Sequence, residues 1–316
     1  MKDTTIQQPS AENRGDFAQD VCHGWLVSSL TEGLPQDVAV RAMTEDGSFR
    51  VVAVDATRTA RAIIEAQTAE GSDAQHLAEL VVGAVLFRET MAPDLRAQCV
   101  LHGSDGTGRI VVDAQPEGRT RGIVSRPKAS AAVMLGQGAR LEMLRTLPQQ
   151  RGHRGVVEFP ADATVSKGVM EYMQVSEQIV TMVAICARFD GASLRRAMGY
   201  LVQLTPETLA EPLRVMTERL PAFESIDARA DDPNTTPRGL VGALLEGLPY
   251  QVTAEVDVQF FCNCSAERVL ASIGTLSRTD IQELLSGGGP VELSCDYCGK
   301  SYKVSEAQLR ALMDRS

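Results

Sequence analysis

Aromatic residues are scarce in this sequence, at 4% of 316 residues with a single tryptophan. Any core must therefore be aliphatic, and an apolar share of 44% is ample to build one. No run approaches the roughly 18 consecutive apolar residues of a membrane-spanning helix. The opening stretch MKDTTIQQPSAENRGDF lacks the apolar segment of a secretory signal, so a cytoplasmic chain with no membrane partner is expected. Basic residues are outnumbered, 31 to 41, and the net charge of −10 argues against a nucleic-acid partner.

Catalytic signatures are missing as well. His23, His76, His102 and His153 show no metalloprotease spacing, and no G-x-S-x-G elbow occurs. Gly299-Lys300-Ser301 resembles the end of a phosphate loop, but Ser294 stands where the loop's first glycine belongs. The turn-rich GSDGTG (103–108) lacks the dinucleotide spacing and reads as a hairpin turn. Glu158 and Glu171 are isolated and read as surface acids. The expectation is a protein that is not an enzyme.

What the sequence does contain is seven cysteines, four of them near the C-terminus. Cys262 and Cys264 form a C-x-C in QFFCNCSAERV, and Cys295 and Cys298 form a C-x-x-C in LSCDYCGKSY, thirty residues further on. Two close pairs of thiolates are the donor set of a closed, tetrahedral zinc site, each pair supplying one edge. Gly299 suits a knuckle turn whose backbone N–H groups face the sulfurs. One zinc per chain is expected. A permanent zinc staple, a constitutive zinc-ribbon interaction or regulatory protein, and a thiol oxidoreductase using Cys295-Asp-Tyr-Cys298 remain open at this point. The last lacks the strand-to-helix setting of thioredoxin-like motifs. Residues 259–316 carry six basic and seven acidic residues, so a basic nucleic-acid face is absent there too. Cys22, Cys99 and Cys186 stand singly and read as ordinary buried residues with no assigned role.

Periodicity predicts an α+β fold: a mostly antiparallel sheet core with packed helices, a helical linker layer, and a small C-terminal four-cysteine zinc domain. SFRVVAVDAT (48–57), RAQCVLHG, GRIVVDAQ and GVVEF (155–159) read as strands, and 177–189 and 194–205 as a hairpin turning near Asp190-Gly191. Residues 59–68 and 73–90 read as helices, the second with Asp73 as cap, and Ser166 is expected to cap a helix running to Ser176. The chain divides into a flexible tail (1–16), a core domain (17–207), a metastable helical linker (208–257) and a zinc-binding redox-switch domain (258–316). In the linker, Thr205-Pro206 is expected to open a helix whose inner face carries Leu209, Leu213, Met216 and Leu220. A second helix from Thr236-Pro237 shows Leu240, Val241, Leu244, Leu245 and Leu248. With nine acidic against four basic residues, residues 208–257 must lie on a neighbour to bury these leucines, and loss of the zinc module is expected to deprive them of an anchored partner.

FFCNCS, the thirty-residue gap and CDYCG closely resemble the C-terminal zinc site of the 33-kDa redox-regulated chaperonin family of bacteria, a family of heat-shock holdases. EVDVQFFCNCSAERV, RGVVEF with EYMQVSEQI, and AMGYLVQLTP resemble other stretches of that family, so the likeness covers about residues 17–316. The resemblance implies a molecular chaperone that binds unfolding client proteins without ATP during oxidative stress. It implies zinc held by Cys262, Cys264, Cys295 and Cys298 in an inactive reduced state. It also implies activation by disulfides Cys262–Cys264 and Cys295–Cys298, with zinc release, unfolding of the C-terminal region, and a homodimer when oxidised.

Elementary energetics accords with such a switch. Residues 259–316 are too few for a generous core and would be stable by roughly 3–9 kcal/mol as an ordinary domain. A structural zinc contributes about 10–16 kcal/mol in small modules, so the metal dominates. The implied pairs close very small loops that scarcely constrain an unfolded chain, whereas a bond between the pairs would close about 30 residues and stabilise by roughly 3–4 kcal/mol.

Overall fold

The computed structural model describes residues 35–106, 108–127, 132–146, 152–159 and 162–313. The tail expected over 1–16, Cys22 and His23 lie outside the described residues. Strands β1 (Val38–Thr44) and β2 (Phe49–Asp55) form a hairpin whose turn uses Gly47 at φ 75°. Helices α1 (Thr57–Ala66) and α2 (Gly71–Glu89) follow. Next come β3 (Arg96–His102), β4 (Arg109–Ala114), β5 (Arg119–Ser125), β6 (Arg140–Thr146), β7 (His153–Glu158) and α3 (Val165–Val175). The hairpin β8 (Thr181–Asp190) and β9 (Ser193–Leu204) turns at Gly191, as its sequence suggested. Three helices, α4 (Ala210–Arg219), α5 (Asp227–Asp231) and α6 (Pro237–Leu244), lead to β10 (Tyr250–Asp257). The remainder is β11 (Gln259–Phe260), α7 (Ala266–Ile273), α8 (Arg278–Ser286), β12 (Val291–Ser294), β13 (Ser301–Val304) and α9 (Glu306–Met313).

The architecture is α+β. A five-stranded sheet runs in the order β10-β1-β2-β9-β8 and a six-stranded sheet in the order β11-β5-β4-β3-β6-β7. Every pairing is antiparallel except the short β11–β5 contact. Helix α2 is sandwiched between the sheets, with Leu77, Leu80, Val82, Leu86 and Phe87 among its buried residues. Its apolar residues surround the helix instead of forming a stripe, the signature of a helix buried on all sides. Asp73 does not cap it: the N-cap position is Glu70, and Asp73 instead accepts from the Val133 N–H. Ser166 likewise is not the cap of α3. Thr164 accepts from the Lys167 N–H, leaving the Ser166 hydroxyl to accept from Ile185 N–H on β8.

The outer face of the five-stranded sheet carries a second core. Val40, Phe49, Val51, Tyr200 and Val202 meet Met216, Phe223, Ile226, Leu240, Val241, Leu244 and Leu245 of the helical layer. The neighbour on which the layer buries its leucines is therefore the outer face of the five-stranded sheet. Helix α4 also starts later than Thr205-Pro206 suggested. Thr205 donates to Gly47 and Ser48 carbonyls, Thr208 donates to Ser48, and the Leu209 N–H donates to the Ser48 hydroxyl. These bonds hold 205–209 against the β1–β2 turn until the helix begins at Ala210. Of its expected inner face only Met216 is fully buried, with Leu209 58% and Leu213 41% exposed. Thr236 caps α6 with Pro237 at its first position, as read from sequence. The segment 208–257 ends in a strand, because Tyr250, Val252, Ala254 and Val256 alternate with exposed residues along the edge of β1.

Candidate metal centre

The chain leaves the five-stranded sheet at Asp257 and joins the six-stranded sheet two residues later. Val258 N–H donates to Asp37 O, Gln259 and Phe260 pair with Arg119 and Thr120, and Phe261 N–H donates to Thr120 O. Gly118 permits this crossing. It sits at φ +67°, and a Cβ there would lie 2.0 Å from Asp257 O.

The crossing delivers Cys262 and Cys264 to the edge of the main core, and Ser265 then caps α7 by accepting from Arg268 N–H. Cys295 and Cys298 occupy the turn between β12 and β13. Cys295 N–H donates to Lys300 O and Gly299 N–H to Cys295 O, with Gly299 at φ 70°, the knuckle its sequence predicted. Backbone N–H groups of Tyr297 and Cys298 face the Cys295 sulfur, that of Lys300 faces Cys298, and that of Cys264 faces Cys262. The Tyr302 hydroxyl donates to Cys264 Sγ over 2.9 Å.

All four Sγ atoms lie within 4.8 Å of one another and could hold a metal ion. The Cys262–Cys295 distance is 3.7 Å and the Cys264–Cys298 distance 3.4 Å. A tetrahedron with 2.3 Å metal–sulfur arms has edges of roughly 3.8 Å, so donor set and spacing both fit zinc. Without metal the thiols share protons as a unit. The bond from Cys298 holds Cys262 down at about 5, burial pushes Cys295 up to about 11, and Cys298 is pushed up by its bond to Cys262. Cys99 and Cys186 stand apart and are buried, which pushes Cys99 well up and Cys186 to about 12, so both remain protonated.

The module bearing the knuckles has a slight core of its own, with Ile273, Ile281, Val304 and Leu309 fully buried. Its attachment to the main body involves residues that sequence reasoning missed. Gln67, just past α1, donates through Nε2 to the Asp296 and Tyr297 carbonyls, while its Oε1 accepts from Val124 N–H. Arg119 lies over the Phe261 ring at 4.7 Å, and Arg121 over the Tyr297 ring at 4.1 Å. Arg121 also donates to Asn263 Oδ1.

Comparison with known proteins bears on this arrangement. The family model described as Hsp33 protein matches residues 37–305. The chain belongs to the Hsp33 family. Its curated Hsp33 relatives include the 33 kDa chaperonin of Syntrophotalea carbinolica, 25% identical over 288 residues that cover 88% of this chain and 99% of the relative. The 33 kDa chaperonin of Latilactobacillus sakei subsp. sakei is 23% identical, covering 88% and 99%. The crystal structure of the 33 kDa chaperonin (heat shock protein 33 homolog) from Thermotoga maritima superposes with a TM-score of 0.76 at 19% identity, covering 89% of this chain and 98% of that one. That likeness shows a shared fold, and the names place the chain in a family of chaperones.

Proposed function

We propose that this chain is a redox-regulated, ATP-independent holdase that binds unfolding proteins during oxidative stress. The observation that carries the reading is the meeting of four cysteine sulfurs at metal-binding distance in a module whose own core cluster centres on just four buried residues, Ile273, Ile281, Val304 and Leu309, among the described residues. The ligands are Cys262, Cys264, Cys295 and Cys298, and the metal is zinc. Bound zinc supplies the cross-link between the two halves of the module. The chain works in the cytoplasm, and as a homodimer when oxidised.

The thiolates carry the switch. In each pair, Cys262 with Cys264 and Cys295 with Cys298, two thiolates give two electrons to a peroxide. The O–O bond breaks, two protons are taken up, two waters leave and one S–S bond forms. The sulfurs then no longer ligate, and each short disulfide loop leaves the halves of the module untied. The organisation proposed is a tail (1–16), core (17–207), linker (208–257) and switch domain (258–316). Unfolding of the last frees the chain at Val258, next to β10 at the sheet edge, and through it the helices α4 to α6. Lifting these helices uncovers Phe49, Val51, Tyr200 and Val202, an apolar sheet face suited to unfolded chains.

The test follows metal content, far-UV circular dichroism and suppression of aggregation of a heat-unfolded protein before and after peroxide under mild heat. The expected result is about one zinc per chain, its loss with structure, and a gain in holdase activity. Zinc retained with unchanged structure would overturn the proposal.

A further inference from the structure

Arg121 has a position that the holdase reading does not explain. Its Nε donates 2.9 Å to Asp113, a carboxylate with no solvent exposure that also accepts from Arg96 and from Gln115 Nε2. The guanidinium is thereby fixed to the six-stranded sheet. Its outer side reaches both cysteine pairs at once. Nη1 donates 3.0 Å to the side chain of Asn263, the single residue between Cys262 and Cys264. The guanidinium carbon lies 4.1 Å from the ring centroid of Tyr297, which precedes Cys298. One planar group thus spans two knuckles that are thirty residues apart in sequence.

We infer that Arg121 is the positioning residue that registers the two cysteine pairs against the core and senses their redox state. The inference rests on the zinc-switch reading above and specifies how that site is coupled to the sheet. Geometry and charge act together. Four thiolates around a divalent cation carry a net charge of −2, and the guanidinium sets a positive charge beside them. Two disulfides carry none, so oxidation removes the electrostatic attraction and also frees Asn263 and Tyr297 to separate. Lysine could supply the charge but neither the flat face for Tyr297 nor the fork that serves Asp113 and Asn263 together.

The experiment uses the full reduced chain and its Arg121→Met, Arg121→Lys, Asn263→Ala, Tyr297→Phe and Tyr297→Leu variants. Zinc loss to a chromogenic chelator is timed at low and high salt, and peroxide-driven zinc release is timed separately. Thermal melting reports the integrity of the core. Outer partners of metal ligands typically alter affinity 10–100-fold. Arg121→Met should release zinc to the chelator roughly tenfold faster, with less dependence on salt than the parent. Arg121→Lys should keep the salt dependence yet release zinc faster. Tyr297→Phe should match the parent, and Asn263→Ala and Tyr297→Leu should move toward Arg121→Met. The last two leave the Asp113 cluster intact, so they decide the question if Arg121→Met does not fold. Release rates and salt dependence equal to the parent in Asn263→Ala, Tyr297→Leu and any folded Arg121→Met would overturn the assignment while leaving the switch intact. A parent without zinc would overturn both.

Discussion

The hydroxyl of Tyr200 donates a 2.7 Å hydrogen bond to the carbonyl of Phe223, and their rings meet edge to face at 6.2 Å. Tyr200 belongs to β9 and Phe223 to the turn after α4, so this bond fastens the helical layer to the sheet. Tyr200→Phe leaves a buried carbonyl unpaired at a cost of about 1–3 kcal/mol. The expected outcome is faster amide exchange over 210–244 and holdase activity appearing at a lower temperature after oxidation. Unchanged exchange in that segment would contradict it.

Gly118 marks the crossing between sheets. In Gly118→Ala the new methyl would sit 2.0 Å from Asp257 O and would be held at a positive φ. Strain of this kind costs of order 1–3 kcal/mol before the clash is counted. The chain at 257–258 should be displaced and zinc lost more readily, measured by chelator competition. A variant that keeps parental zinc retention and thermal stability would show that the crossing adapts.

Metal removal should act locally. Stripping zinc from the reduced protein is expected to abolish amide protection at Ile273, Ile281, Val304 and Leu309, while the sandwiched helix α2 stays protected. Hydrogen exchange resolved along the chain checks this. Persistent protection of those four residues without metal would show that the module holds itself together.

Glu79 provides a pH test. It lines a cleft of about 960 Å³ beside β8 and accepts a hydrogen bond from Gln75. Burial, with Asp227 adding a smaller push, raises its carboxyl to about 7. The folded protein therefore holds this proton more tightly than the unfolded chain. The stabilisation is complete below about 4.5 and is lost as pH rises through about 7. Glu79→Gln removes that dependence, so the variant's melting temperature relative to the parent should be higher at pH 8 than at pH 5. An equal difference at both pH values would count against the shift.

Local chemistry made much of this structure legible beforehand. The two cysteine pairs, the Gly299 knuckle, the Gly191 turn and the Thr236-Pro237 helix start each depend on residues within a few positions of one another. Failures came where distant partners outbid the local pattern. Thr205 and Thr208 are drawn to Gly47 and Ser48, about 160 positions away, so the expected helix start became a turn. Ser166 serves β8 instead of its own helix. Gln67 and Arg121 meet the knuckles across 229 and 142 positions, and no motif marks either residue. Sequence spacing marks 73–90 as helical but does not reveal that a sheet covers α2 on each side.

Cys262 and Cys298 are only 4% and 7% exposed, whereas Cys264 and Cys295 are half-buried. Every pair thus comprises a buried cysteine and a half-buried one. In the proposed switch, a peroxide arriving from solvent would meet half-buried Cys264 or Cys295 first, with the buried partner Cys262 or Cys298 two or three positions away in sequence. Under that proposal each knuckle would act as a self-contained two-step fuse, with ignition and closure falling to different cysteines.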